Sequence, residues 1–380
     1  MSNAPVEPYR ILFPVGAVFA IVGVALWPAL ALGLGAWPGE LHARLMAQGF
    51  ELAFIGGFLL TFLPRVTRTL EIVRPRDTWI VLACTLVFGA AAWMNLAVVA
   101  QAAFVLALLT LTLVFVDRLR RRKNDPPEEV FFIPLGIALG LVGGLVQLAA
   151  ALGWMVEPAP RFGLRLVSLG MVLSIVLGVG AILVPTFIGI KDPLVIPKIA
   201  GPHERAGRRL FYAVLAQLFV ATFVLEALGL PRAGAGLRAL VGATMLLWVW
   251  KLWRLPTRAG TTGWLLWTAG VCVGLGLVAT AAWPLHAAGL QHLTLLGGYG
   301  FLTAGIATRV IVTHGGHGVE AERLILDPVT LMLLALALAT RLGAEFAGPA
   351  MNGWLLSSGA TWCLAWIAWL VRVLPRVRHG

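Results

Sequence analysis

The chain has 380 residues, of which 59% are hydrophobic and only 12% charged, with a mean hydropathy of +0.90. That composition excludes a water-soluble globule and specifies an integral membrane protein whose first partner is the lipid bilayer. The net charge of +12 would suit a nucleic-acid binder if it formed a patch, but the basic residues alternate with loop parity, so nucleic acid is excluded as a partner as well.

Apolar runs close to the twenty-residue length that spans hydrocarbon fall at 11–36, 41–63, 78–96, 98–117, 130–155, 163–190, 208–229, 235–252, 262–284, 290–312, 327–347 and 351–373. They predict an all-α fold, a polytopic membrane bundle of about 12 transmembrane helices that forms a single domain over residues 1–380. The first run follows Arg10 and is too long for the core of a cleaved export signal, so it reads as a retained helix. The break near Asn95, between the third and fourth runs, is the least marked.

The second run opens WPGELHARLMAQGFELAFIGG and sets His42, Arg44, Gln48 and Glu51 in or beside the hydrocarbon. Ionisable groups are costly there and mark function by default. At a hundred degrees per residue, Arg44, Gln48 and Glu51 share one stripe, and His42, Met46 and Gly49 another. The first stripe reads as an internal ion pair for Glu51 or as a proton or substrate relay. After the fourth run, RLRRRKNDPPEEV is a solvated helix end and turn. In the fifth, Gly136, Gly140 and Gly144 recur every four residues and invite close helix packing. The sixth, GVGAILVPTFIG, carries Pro185 and reads as a kink, with a substrate-gating hinge as the alternative. Cys84, Cys272 and Cys363 are isolated packing residues, and tryptophans near span ends form an aromatic belt.

Of the 29 Lys and Arg residues, 23 fall on one side of the predicted topology. Only Arg44, Arg161, Arg165, Arg232, Arg238 and Arg341 fall on the other. An even number of spans then places both termini in the cytoplasm.

Imidazole is the commonest protein ligand for haem iron and copper. His42 and His292 start the second and tenth helices at similar depth on the non-cytoplasmic side, with His286 nearby. His314 lies about 33 Å further along helix ten at helical rise and cannot share a metal with His292. Two candidate sites result: an outer one from His42, His292 and His286, with Met46 as a soft donor suited to copper, and an inner one from His314, His317 and His203. The inner THGGH reads as a flexible loop, and His379 as tail. Arg309 reads as a topogenic charge or as the partner of an anionic group.

The stretches HARLMAQGFELAFIGGFLLTFLP, HLTLLGGYGFLTAGIATRVIVTHGG and, more loosely, GVGAILVPTF resemble the NnrS family, twelve-helix bacterial membrane proteins associated with haem, copper and the response to nitric oxide. The resemblance implies an inner-membrane protein of the nitrosative-stress response that binds haem b between helices 2 and 10 near the outer face, with nitric oxide as a diatomic ligand. It assigns His42, His292 and His314 as metal ligands and His42, His292 and Arg309 as cofactor-binding residues. Where the family usually reads HxHE, this chain reads HARL, so Arg44 and Leu45 stand in place of two residues that a copper ion would use. A looser analogy with haem–copper oxidases, which hold a low-spin haem on helices two and ten, does not extend to oxygen reduction, because helices six and seven here carry no histidine within their spans. The alternative expectation is a cofactor-free secondary transporter using Arg44, Gln48 and Glu51, and a third is an assembly or structural membrane protein.

Overall fold

Proline in the first helical turn and a left-handed residue just past the end punctuate this chain. Pro8, Pro75, Pro231 and Pro328 open helices, while Gly33, Gly153, Gly189 and Gly229 close them with positive φ. The residue after each of those glycines donates its N–H to a carbonyl five residues back, as Leu34 does to Ala29 at 2.8 Å. At the weakly marked break, Asn95 takes this role with φ 58, and Leu96 N–H reaches Ala91 O at 2.8 Å.

The computed structural model describes residues 7–69, 74–190, 202–257 and 259–378. Its long helices are α1 (Pro8–Ala31), α2 (Gly39–Val66), α3 (Pro75–Trp93), α4 (Ala97–Arg120), α5 (Glu128–Ala151), α6 (Ala159–Phe187), α7 (His203–Ala227), α8 (Pro231–Ala243, continued by Thr244–Val249), α9 (Thr261–Ala282), α10 (Pro284–His314), α11 (Pro328–Phe346) and α12 (Gly348–Val377). Each predicted run lies on one of them, and no strand occurs among the described residues. Ten are long and apolar enough to cross a membrane, so the protein is an all-α polytopic membrane bundle. Lys191, Lys198 and Arg258, three of the 23 basic residues counted on the cytoplasmic side, and His379 lie outside the described residues.

Sequential helices pack against each other, and α12 closes on α1. Arg10 Nη1 donates to Val377 O at 3.5 Å, so the start of α1 and the end of α12 share one end of the bundle. Three helices form its interior. In α2, α6 and α10 the apolar window is 89%, 78% and 83% buried, against 61% or less in the other spans. They are spaced four helices apart, and each contains a π-helical stretch: Leu45–Phe50, Leu166–Val172 and Leu293–Gly300.

Small residues bring these inner helices close. A Cβ on Gly136 would fall 2.7 Å from Ile175 of α6, and one on Gly144 would fall 2.9 Å from Phe104 of α4, so the glycine stripe of α5 packs within the bundle as expected. In α6, Gly178 faces Phe132 and Gly180 lies under the indole of Trp250, whose Nε1 donates to Leu177 O at 3.1 Å. Gly178 and Gly180 are therefore packed against aromatic neighbours, whereas Gly189 past Pro185 meets nothing within 4 Å.

Candidate functional site

In an α-helix, a stripe recurring every fourth residue drifts about 40° per step off its face, because 3.6 residues complete a turn. A π-helical turn, bonded i to i+5, is wider and draws such a stripe back. The inner helices show the result. Met46 and Phe50 of α2, four residues apart, share one cavity with Ser168 and Val172 of α6 and with Leu295 and Tyr299 of α10. The cavity measures about 410 Å³.

His42 and His292 both line it. The His42 Nδ1 lies 2.9 Å from Gly23 O of α1, and the His292 Nδ1 lies 2.9 Å from Ala288 O one turn earlier. A carbonyl can only accept, so each Nδ1 carries the proton and each Nε2 is left with its lone pair. No hydrogen bond to either Nε2 occurs among the described residues. Gly23 makes the first anchor feasible, since a Cβ there would lie 3.2 Å from Met46 Sδ. Trp27 packs edge-on against the His42 ring at 5.5 Å, and Trp362 and Leu355 of α12 add apolar wall.

Glu51 stands at the floor. It is 7% exposed, makes no ion pair or hydrogen bond among the described residues, and lines both this cavity and a smaller one of about 50 Å³ between Phe13, Phe54 and Ile306. The stripe that sequence periodicity drew through Arg44, Gln48 and Glu51 does not assemble, because the π stretch between Arg44 and Glu51 changes the register. Arg44 pairs with Glu40 at 2.6 Å. Gln48 turns to α4, where it and Gln101 exchange amide hydrogen bonds of 2.8 and 3.1 Å. Glu51 instead shares its surroundings with Tyr299, whose hydroxyl donates to Ser168 O at 3.2 Å.

The arginines that break the charge bias gather here. Arg161, Arg165 and Arg341 line the histidine cavity, and Arg165, Arg232 and Arg238 line a neighbouring one of about 330 Å³ that also shares Gln291. In the second cavity Glu226 is braced from two sides, by the buried Arg238 and by Arg165 at 3.0 Å, while Arg238 stacks on Phe223. Arg341 was legible as a charge on the wrong side of the topology. Its place on one cavity with both histidines was not, because α2 and α11 are brought to that cavity only by the fold.

The opposite end is arranged differently. Arg309 does not line the histidine cavity: it pairs with Glu322 and lies 5.4 Å over the Phe187 ring, and Glu322 also accepts from Thr262 at 2.8 Å. The His314 ring lies 6.2 Å from that of Tyr9, and His317 Nε2 is 3.3 Å from Arg376 O. His203 is exposed, and His286 sits 3.3 Å from Glu345, outside the cavity lining. Among the described residues, no three His, Cys, Asp or Glu side chains gather as a metal site.

Compared with models of known families, the chain matches the one described as NnrS protein over residues 6–379. No curated protein matches it.

Proposed function

The chain belongs to the NnrS family, and we propose that it holds a haem between α2 and α10, with His42 and His292 as the residues that would hold it, and serves the bacterial response to nitric oxide. The observation that carries this reading is the pair of imidazoles on one apolar-walled cavity, each fixed through Nδ1 on a carbonyl with Nε2 free. That is the second-shell pattern of metal-binding histidine. Two imidazoles would suffice to hold a haem. A copper ion would find only His42, His292 and the thioether of Met46 here, since Arg44 and Leu45 stand where the family usually has a histidine and an acid.

Haem held there would supply a one-electron carrier or a site for a diatomic gas. The protein's own contributions are separable. The carbonyls of Gly23 and Ala288 fix the tautomer and tilt of the rings, the tryptophans exclude water, and Glu51 with Tyr299 offers a place to hold a proton at the floor. The charge bias supports an inner-membrane setting with this cavity on the outer side and both termini in the cytoplasm.

The test is a reduced-minus-oxidised spectrum with metal analysis of the full chain in mild detergent. A haem band in wild type that is lost in His42→Ala and in His292→Ala is expected. Colourless wild type from haem-sufficient cells would sink the reading. One observation favours a second reading, cofactor-free transport: unpaired Glu51 touches two cavities at different depths. Flux in proteoliposomes abolished by Glu51→Gln, from a protein without haem, selects it.

A further inference from the structure

The charges that line the histidine cavity do not balance. Three guanidiniums, those of Arg161, Arg165 and Arg341, face a single carboxylate, Glu51. Arg161 is paired with Glu157 at 3.4 Å and Arg165 with Glu226 at 3.0 Å, so each has an acid outside the lining as partner, Glu226 being shared with Arg238. Arg341 has no such partner: among the described residues it makes neither an ion pair nor a hydrogen bond. The nearest acid on its own helix, Glu345, lies one turn on, where it packs over Gly289 and approaches His286 Nδ1 at 3.3 Å. From α2 and α10 the ionisable groups within electrostatic reach of Arg341 are His42 and His292, and neither supplies a negative charge.

A guanidinium offers five donors and no acceptor and keeps its charge at every relevant pH. Inside a membrane span a guanidinium is costly when the one acid within its electrostatic reach, Glu345, forms no ion pair with it, and a fold that keeps one there has a use for it. Here the unpaired cation adjoins a cavity large enough for a ligand and lined by two imidazoles with free Nε2 atoms.

We propose that Arg341 is the anion anchor of the histidine cavity and binds a carboxylate or small oxyanion on the molecule held there. The inference deepens the haem reading, in which the anion is a carboxylate on the haem edge, and it extends to a free oxyanion such as nitrite occupying the same position. Arg309, the residue that the family resemblance offers for such a role, is held by Glu322 at the opposite end of α10.

The test uses the full chain in detergent, stripped of haem, as wild type, Arg341→Gln and Arg341→Lys. In the first arm, haem and its dimethyl ester, which lacks the carboxylates, are titrated in turn. Arg341→Gln is expected to weaken haem about tenfold, the size of one lost charge-assisted hydrogen bond. It leaves ester binding unchanged, and Arg341→Lys recovers part of the loss. In the second arm, nitrite is added to haem-free protein and its thermal stabilisation is read. A rise in Tm in wild type that is absent in Arg341→Gln identifies a free oxyanion as a ligand. Without ligand, Arg341→Gln melts no lower than wild type, since no ion pair or hydrogen bond among the described residues is broken, and a lower melting point would assign Arg341 a structural role and overturn the proposal. So would a variant that treats haem, ester and nitrite as wild type does. A wild type that takes up no haem but responds to nitrite through Arg341 overturns the haem reading alone.

Discussion

At one end of α10, His292 stands in a cavity of about 410 Å³ beside Arg341, which forms no ion pair or hydrogen bond among the described residues. At the other end of the same helix, Arg309 is closed on Glu322 and stacked over Phe187, while His314 rests near the Tyr9 ring. The residue types match, and from sequence both ends are candidate ligand sites. What separates them is whether the polar groups are already satisfied within the chain. Satisfied charges brace helices, and unsatisfied ones beside an open volume are available to a ligand.

The largest expected contrast is between the two sets of histidines. Haem retention, read from absorbance per protein, is lost in His42→Ala and in His292→Ala and unchanged in His314→Ala and His317→Ala. Loss in all four would erase the distinction between the ends.

The carboxylates sharpen the comparison energetically. Glu226 and Arg238 are a buried pair, with side chains 5% and 3% exposed, so Glu226→Gln leaves a buried cation and costs about 3–5 kcal/mol in thermal or denaturant unfolding. Glu51→Gln removes a buried acid that has no partner, so stability stays level or rises while any proton-linked function falls. Equal destabilisation by the two would show that Glu51 has a counter-charge.

A smaller effect attends the neutral pair between α2 and α4. Gln48→Leu strands the buried Gln101 amide and costs about 1–3 kcal/mol, most of which the double variant Gln48→Leu/Gln101→Leu recovers. Additive losses in the double-mutant cycle would mean that the amides are not coupled.

The smallest expected effect lies at the entrance to α11, on the side of Arg309. Asp327 caps the helix through Thr330 N at 2.9 Å and pairs with Arg372 at 2.7 Å, so Asp327→Ala costs about 1 kcal/mol. Burial pushes this carboxyl up, but the Thr330 hydroxyl and N–H and the Arg372 guanidinium outweigh it and hold it below its usual value. With the folded value below the unfolded one, the contribution is present above the ordinary carboxylate range and is lost as pH falls through the folded value. Asp327→Ala should therefore match wild type in acid and fall behind it at neutral pH.

The chain's own chemistry was enough to define the membrane class, the positions of the helices and the punctuation between them. Twenty-residue apolar runs, N-terminal prolines and closing glycines are local signals, so even the faint break at Asn95 was readable. His42 and His292 were legible as a pair because depth along a helix is a matter of counting residues. Which face a residue occupies was not legible in the inner helices. The π stretches of α2, α6 and α10 break the 3.6-residue period, so Arg44, Gln48 and Glu51 part company and Glu51 reaches the cavity. Nor was the use of the misplaced arginines legible. The sequence marks Arg341 only as an exception to the charge bias, and its position on one cavity with His42 and His292 depends on how α2, α10 and α11 close around that cavity. Local propensity decides where a helix starts and stops, whereas the partners of a buried charge are chosen only when distant helices close around it.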